Sequence, residues 1–308
     1  MTSTNSLERQ IDTATDLRAI VKMMKVLAAV NIHQYEQAVV SLAEYTQNIE
    51  KGLHIVLKNM HQQGYATKHH NLINGNGESS EGKPLALTRF SGKHCGAIIF
   101  GSEQGMCGQF NEQISRYAID EIQQVNVGID DFSIFTVGSR IIPSLEAAGF
   151  QISQSFLMPS SLAGITPMVQ EMLIQIDQWR DRQQIDRIFL FYNRPHAQTL
   201  SEPYKLNLLP LDRQWLQNIE QRSWRSNSLP TFTMSSDRLF SSLLRQYFFL
   251  SLYRTFVQSL ASENSSRLAS MQVAEKNIEE RLAEFTIAYQ QERQNIITDE
   301  LLEIVSAY

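Results

Sequence analysis

From Leu7 to Met60 apolar residues return at alternating steps of three and four, through Ile11, Ala14, Leu17, Val21, Met24, Ala28, Ile32, Tyr35, Val39, Leu42, Tyr45, Ile49, Leu53 and Val56. Such a period marks the seam of a coiled coil or of one very long packed helix. The same period returns from Leu243 to Ile296, by way of Tyr247, Leu250, Val257, Leu260, Leu268, Met271, Ala274, Ile278, Leu282, Phe285 and Tyr289. Asn264 interrupts it, and a polar residue in a seam costs stability but fixes register. A helix of ~50 residues is ~75 Å long and one of ~70 residues ~105 Å. Neither can bury its seam on a small domain, so each needs a partner helix. Paired antiparallel, the longer helix is expected to project by about 30 Å at one end.

The helix breakers are distributed to match. All fourteen Gly lie between Gly52 and Gly164, and all eight Pro between Pro84 and Pro230. Both ends of the chain are free to stay helical, and the irregular structure is confined to the middle. The chain therefore divides into a long helix over 1–60, a polar and Gly-rich loop over 61–95, an α/β unit over 96–230 and a second long helix over 231–308.

Inside the middle unit the period switches to that of strands. Ala97–Phe100, Asp131–Gly138, Gln151–Met158 and Arg187–Tyr192 are short apolar runs that read as strands. Between them Asn111–Gln124, Ser139–Ala148 and Pro167–Arg180 read as helices, the second ending at Gly149 and the third opening on proline. Strand–helix alternation of this kind predicts a mainly parallel sheet. The stretch from Pro195 to Pro230 is less regular and carries LNLLPL at 206–211 with Trp215 and Trp224.

Composition narrows the function. The 308 residues carry 43% hydrophobic side chains and a formal charge of −5, with no sustained block of one sign. That balance argues against nucleic acid as the main partner. Cys95 and Cys107 fit neither a CxxC redox motif nor a zinc-ligand set, so both are expected to be structural thiols. The opening MTSTNSLERQ has no basic region followed by an apolar core, so no secretory signal is expected. The richest apolar run, Leu243–Leu260, is broken by Arg245, Gln246, Arg254 and Gln258, too polar for a membrane span.

Three motifs invite sharper readings, and each fails on chemistry. Gly77–Pro84 nearly matches a nucleotide P-loop, but Pro84 stands where a magnesium-binding hydroxyl is required. His61, His69 and His70 lack the carboxylate or cysteine spacing of a metal site. Gly101, Gly105 and Gly108 follow a strand and precede a helix, as a dinucleotide loop does. Their steps of four and three are not GxGxxG, and the bland reading is a sharp turn that needs small residues. No catalytic residue, no cofactor site and no metal site is expected.

Three segments carry a family resemblance that spans nearly the whole chain. Ser262–Tyr308, SENSSRLASMQVAEKNIEERLAEFTIAYQQERQNIITDELLEIVSAY, resembles the C-terminal signature of the gamma subunit of F-type ATP synthases. GSEQGMCGQFN at 101–111 resembles that family's SDRGLCGGLN element. AIVKMMKVLAAV at 19–30 is similar to its KITKAMKMVAAS element, matching at Ile20, Lys22, Met24, Ala28 and Ala29. The resemblance implies an antiparallel coiled coil of the terminal helices with a Rossmann-like α/β domain at its foot.

It implies a non-catalytic central-stalk rotor that couples ion flow to ATP synthesis or hydrolysis. The implied partners are three alpha and three beta subunits, epsilon and the ring of c subunits. The implied place is peripheral, on the cytoplasmic face of a bacterial inner or thylakoid membrane. By the family's pattern Arg293, Gln294 and Thr298 match positions that contact beta-subunit catch loops, and Lys22 and Met24 match positions facing an acidic beta loop.

Two stretches depart from the pattern. Val30–Gln34 replaces a basic cluster, and Arg225–Pro230 an acidic and aromatic run, which marks a divergent member. No cysteine-bearing insert lies between Arg194 and Leu239, so redox switching is not expected. The reading from another class is a coiled-coil adaptor with a Rossmann-like module and no role in an ATPase.

Overall fold

A computed structural model of the protein describes residues 2–62, 94–125, 128, 131–196, 200–224, 228 and 230–306. The P-loop-like stretch at 77–84, His69, His70 and most of 225–230 lie outside the described residues. Two helices dominate: α1 (Thr2–Gln62), of 61 residues, and α6 (Ser236–Ser306), of 71. Between them, in chain order, come β1 (Cys95–Phe100), α2 (Phe110–Gln124), β2 (Phe132–Val137), α3 (Ile142–Ala147), β3 (Ile152–Phe156), α4 (Leu162–Gln183), β4 (Arg187–His196), β5 (Leu200–Leu209) and α5 (Arg213–Gln221).

The long helices run antiparallel, because contacts that climb α1 descend α6. Lys25 meets Glu275, Asn31 meets Asn264, Thr46 meets Arg254, and Gly52 lies against Leu243. The predicted seam is the contact line. On α1 it passes through buried Ala14, Ala28, Tyr35, Ile49, Leu53 and Val56. On α6 Leu250, Val257, Leu260 and Met271 are buried, Leu243, Tyr247 and Leu268 half-buried, and the line continues half-buried through Ile278, Leu282, Phe285, Tyr289 and Ile296. Leu17 and Tyr45, which also fall on the period, are instead 48% exposed. The overhang is shorter than expected. Because α1 already begins at Thr2, only about the last ten residues of α6 project beyond it, roughly 15 Å.

The sheet has the order β3-β2-β1-β4-β5. Its first four strands are parallel, and β5 closes the edge antiparallel to β4. The period-two alternation of β1 sorts two cores. Cys95, Ala97 and Ile99 pack with Ile114, Ala118 and Ile122 of α2 and with Leu145 of α3. Ile98 and Phe100 face the other way, onto α4, α6 and the lower part of α1. There Phe100 meets Phe256 edge to face at 4.9 Å, and Phe135 stacks on Trp179. The long helices are thus built into the domain as the second layer on one face of its sheet.

Two elements in 195–230 escaped the pattern reading. β5 contains Pro203, which a sheet tolerates only where a strand has a free side, and here it forms the edge. α5 starts at a capped end, with Asp212 Oδ1 accepting a hydrogen bond from Gln214 N at 2.8 Å. α4 begins at Leu162, five residues before the Pro167 predicted to open it.

Candidate functional site

The turn after β1 lies where a doubly wound sheet offers its ligand crevice, between β1 and β4, whose crossovers leave in opposite directions. Here the place is taken by α6. Arg267 Nη2 donates to Gln104 O at 3.4 Å, and a Cβ on Gly108 would stand 2.9 Å from Ser270 Oγ. The turn is braced from within: Asn111 Oδ1 accepts from Ser102 N, and Asn111 Nδ2 donates to Ser102 Oγ, both at 2.8 Å. Glu103 reaches across to accept from Ser139 Oγ at 2.7 Å. Burial pushes the Cys107 thiol up, which keeps it protonated and inert, and the Cys95 thiol likewise.

The three glycines of this turn are unequal. A Cβ on Gly101 would lie 2.7 Å from Ile141 Cβ. Gly108 has φ +59 as well as its close neighbour on α6. Gly105 has open space around it. Gly108→Ala is therefore expected to lose about 1–2 kcal/mol of stability, the cost of left-handed backbone for a residue with a Cβ. Gly105→Ala should stay within about 0.5 kcal/mol, as unconstrained surface changes do. Urea denaturation of the full chain checks both.

Where α6 crosses the turn, the seam becomes polar. Glu263 and Arg267 are paired at 2.6 Å with side chains only 7% and 10% exposed. Asn31 Nδ2 donates to Asn264 Oδ1 at 3.4 Å, and Asn264 Nδ2 caps Leu260 O at 2.8 Å. Tyr35 packs beside them, its phenol raised chiefly by burial and further by Glu263. Desolvation pushes the Glu263 carboxyl up, although Arg267 opposes it. This cluster, built around the Asn264 that interrupts the seam, ties α1, α6 and the glycine turn at one level.

Above that level the helical pair is solvated everywhere outside its seam. Arg293, Gln294 and Thr298 are all exposed, and Thr298 Oγ1 donates back to Gln294 O at 2.8 Å. Lys22 is exposed as well, but it sits in a group with Arg18 and Lys25 around Glu275. Lys25 binds the Glu275 carboxylate directly, and this hydrogen bond, more than the surrounding positive field, holds that carboxyl below its ordinary range. A lowered folded-state pKa gives stability that is present above the unfolded carboxylate range and is lost as pH falls through the folded value. Lys25→Gln should flatten that acid-side dependence in thermal melts between pH 3 and 6.

Met24 does not stand beside Lys22 on the outer face. It is half-buried toward the seam, whereas its neighbour Met23 is 66% exposed. With Ile20, Val26, Leu27 and Val30, each at least half exposed, Met23 forms an apolar stripe facing away from α6. The sequence reading missed this stripe, although the seam period carries the signal for it, since residues off a packed seam face outward. The overhang carries a second apolar surface: Leu301, Leu302, Ile304 and Val305 are 58–73% exposed. The two predicted contact levels are apart, with Arg293 about 15 residues, roughly 22 Å, above Lys22 along α6.

Comparison with known proteins gives a consistent result. A family model described as ATP synthase matches residues 3–308. An ATP synthase gamma chain of Buchnera aphidicola subsp. Diuraphis noxia is 26% identical over an alignment covering 99% of this chain and 97% of that one. One of Bacteroides fragilis is 24% identical, with 99% and 98% covered. Among solved structures, a rotor chain of the Euglena gracilis mitochondrial ATP synthase superposes with a TM-score of 0.58 at 15% identity, covering 96% of this chain and 99% of that one. A chain of the central stalk and c-ring of the Tetrahymena thermophila mitochondrial ATP synthase superposes with a TM-score of 0.53 at 18% identity, covering 83% and 99%.

Proposed function

The chain belongs to the ATP synthase gamma-chain family, and from that membership we propose that it is the shaft of a rotary ATPase, turning inside a ring of three alpha and three beta subunits. The observation that carries this reading is the division of the helical pair. Its lower part is packed into an α/β domain, and its upper part stands clear with apolar residues turned to solvent. A lone soluble domain rarely exposes such stripes; a shaft needs them where it slides in a bearing. The α/β domain is the foot, joined to epsilon and the ring of c subunits. Lys22 and the exposed residues around Met23 face beta at one level, and Arg293, Gln294 and Thr298 face it at another.

The reading assigns no nucleotide chemistry to this chain and leaves it with the beta subunits. What supports that is the position of α6, which lies across the glycine turn after β1, where a doubly wound sheet would hold a phosphate. No described helix is long and apolar enough to cross a membrane. In this reading the foot is held at the membrane through its partners, on the cytoplasmic face. The test is to assemble matched alpha and beta subunits with and without this chain and compare ATP hydrolysis. Turnover should depend on the chain, and a fully active complex lacking it would refute the shaft role.

A further inference from the structure

Beside the foot, a pocket of about 280 Å³ opens where α1, α6, β4, β5 and α5 converge. Its walls are aromatic. Tyr192 and Tyr204 meet edge to face at 5.7 Å, and Trp215 lies against Tyr247 with ring centres 4.5 Å apart. Burial pushes the Tyr192 phenol up to about 12, so it stays an uncharged hydroxyl. Into this space come two guanidinium groups. Arg194 is at the mouth, held over the Tyr204 ring at 4.2 Å and bound by Glu202. Arg254 is half-buried on α6, and its Nη2 approaches Thr46 Oγ1 at 3.5 Å.

The charges do not balance inside the pocket. Glu50 is the acid on its wall, and Arg222 already binds it at 2.7 Å. Arg254 pairs with no carboxylate among the described residues. A partly desolvated guanidinium in that position favours an anion. One turn further along the same face of α6, Gln258 Oε1 is buried and accepts no hydrogen bond among the described residues. An acceptor without a donor beside a cation without an anion describes a ligand that is both negative and protonated.

We propose that this pocket binds a small oxyanion of the phosphate class, its oxygens between Arg254 and Arg194 and its P–OH donated to Gln258 Oε1. The volume holds one tetrahedral anion with several waters, each of about 30 Å³, and is too small for a nucleoside diphosphate. Bound there, the anion ties the shaft helix α6 to strand β4 of the foot. The inference rests on the pocket alone and is independent of the rotor reading.

The experiment is calorimetric titration of the full chain with inorganic phosphate, sulfate and ADP at matched ionic strength and pH 7. Phosphate should bind saturably at one site, and sulfate about tenfold more weakly, because it has no proton to give Gln258. Arg254→Gln should weaken phosphate by at least about tenfold, the scale of a charge-assisted hydrogen bond, and Gln258→Leu should erase the preference over sulfate. Gln258→Glu, which supplies its own anion to Arg254, should abolish binding and raises no folding difficulty of a lost cation. No saturable phosphate binding, or binding unchanged in Arg254→Gln and Gln258→Glu, overturns the proposal. Equal affinity for sulfate in the unaltered chain overturns the role of Gln258, and competition by ADP overturns the small-anion assignment.

Discussion

Arg267→Ala is expected to destabilise the chain by about 3–5 kcal/mol, the cost of stranding one member of a buried ion pair. Its partner Glu263 is 5% exposed and has nowhere to go, since α1, the glycine turn and α6 enclose it. The loss also takes the link from Arg267 to Gln104 O, so the shaft and the turn at the foot should loosen together. The pair is not fully satisfied even in the native chain: Glu263 Oε2 and Arg267 Nε have no hydrogen-bond partner among the described residues. An apolar replacement of both, Glu263→Leu with Arg267→Met, should therefore recover much of the loss. Urea denaturation of the unaltered full-length chain and the two variants measures it.

The same variant should change how stability depends on pH. The Glu263 carboxyl is raised in the folded state, first by desolvation, with Glu103 adding to it and Arg267 opposing. A raised acid binds its proton more tightly folded than unfolded. Its contribution is thus fully present below the unfolded carboxylate range, near 4.3, and fades as pH rises through the folded value. Removing Arg267 removes the opposing cation, so the raised window widens upward. Arg267→Ala should lose more stability at pH 8 than at pH 5. A loss under about 1 kcal/mol, the ordinary size for surface changes and mild core ones, or one equal at both pH values, would mean that the pair holds nothing together.

Much of this architecture was legible because helix and strand periods differ so plainly along the chain. Breaker-free ends and a seam held for some fifty residues leave one structural solution, and the buried runs around Ile98 and Leu190 leave another. β5 was hidden because its Pro203 and its charged Glu202 and Lys205 are what an edge strand uses to avoid further pairing. The glycine turn could be read as needing small residues, but not why. Ser270 is more than 160 residues away in sequence from Gly108, and only the fold sets α6 on the turn. Met24 lies on the seam period and is half-buried, so it offers a partner less surface than its exposed neighbour Met23. The site that carries Arg254 and Gln258 was invisible for a related reason. Both read as polar interruptions of an apolar run until β4 and α5 close the pocket around them.

Arg293→Ala combined with Gln294→Ala should lower ATP turnover of the assembled complex by roughly tenfold or more, the scale set by losing an arginine anchor at an interface. Both side chains are exposed on α6, close to the overhang and far from the sheet. The isolated chain should keep its stability within about 0.5 kcal/mol, so a fall in turnover would report contact with a neighbouring subunit rather than a damaged shaft. Lys22→Ala provides the discriminating comparison. It acts roughly 22 Å lower on the shaft, beyond the distance over which independent substitutions usually couple. If the two levels meet separate parts of beta, the losses should multiply in the triple variant. If one moving element of beta touches both, the triple variant should lose less than the product. Unchanged turnover in Arg293→Ala with Gln294→Ala, with the complex still assembled, would remove these residues from the contact and leave the exposed apolar overhang at Leu301, Leu302, Ile304 and Val305 to bear the shaft alone.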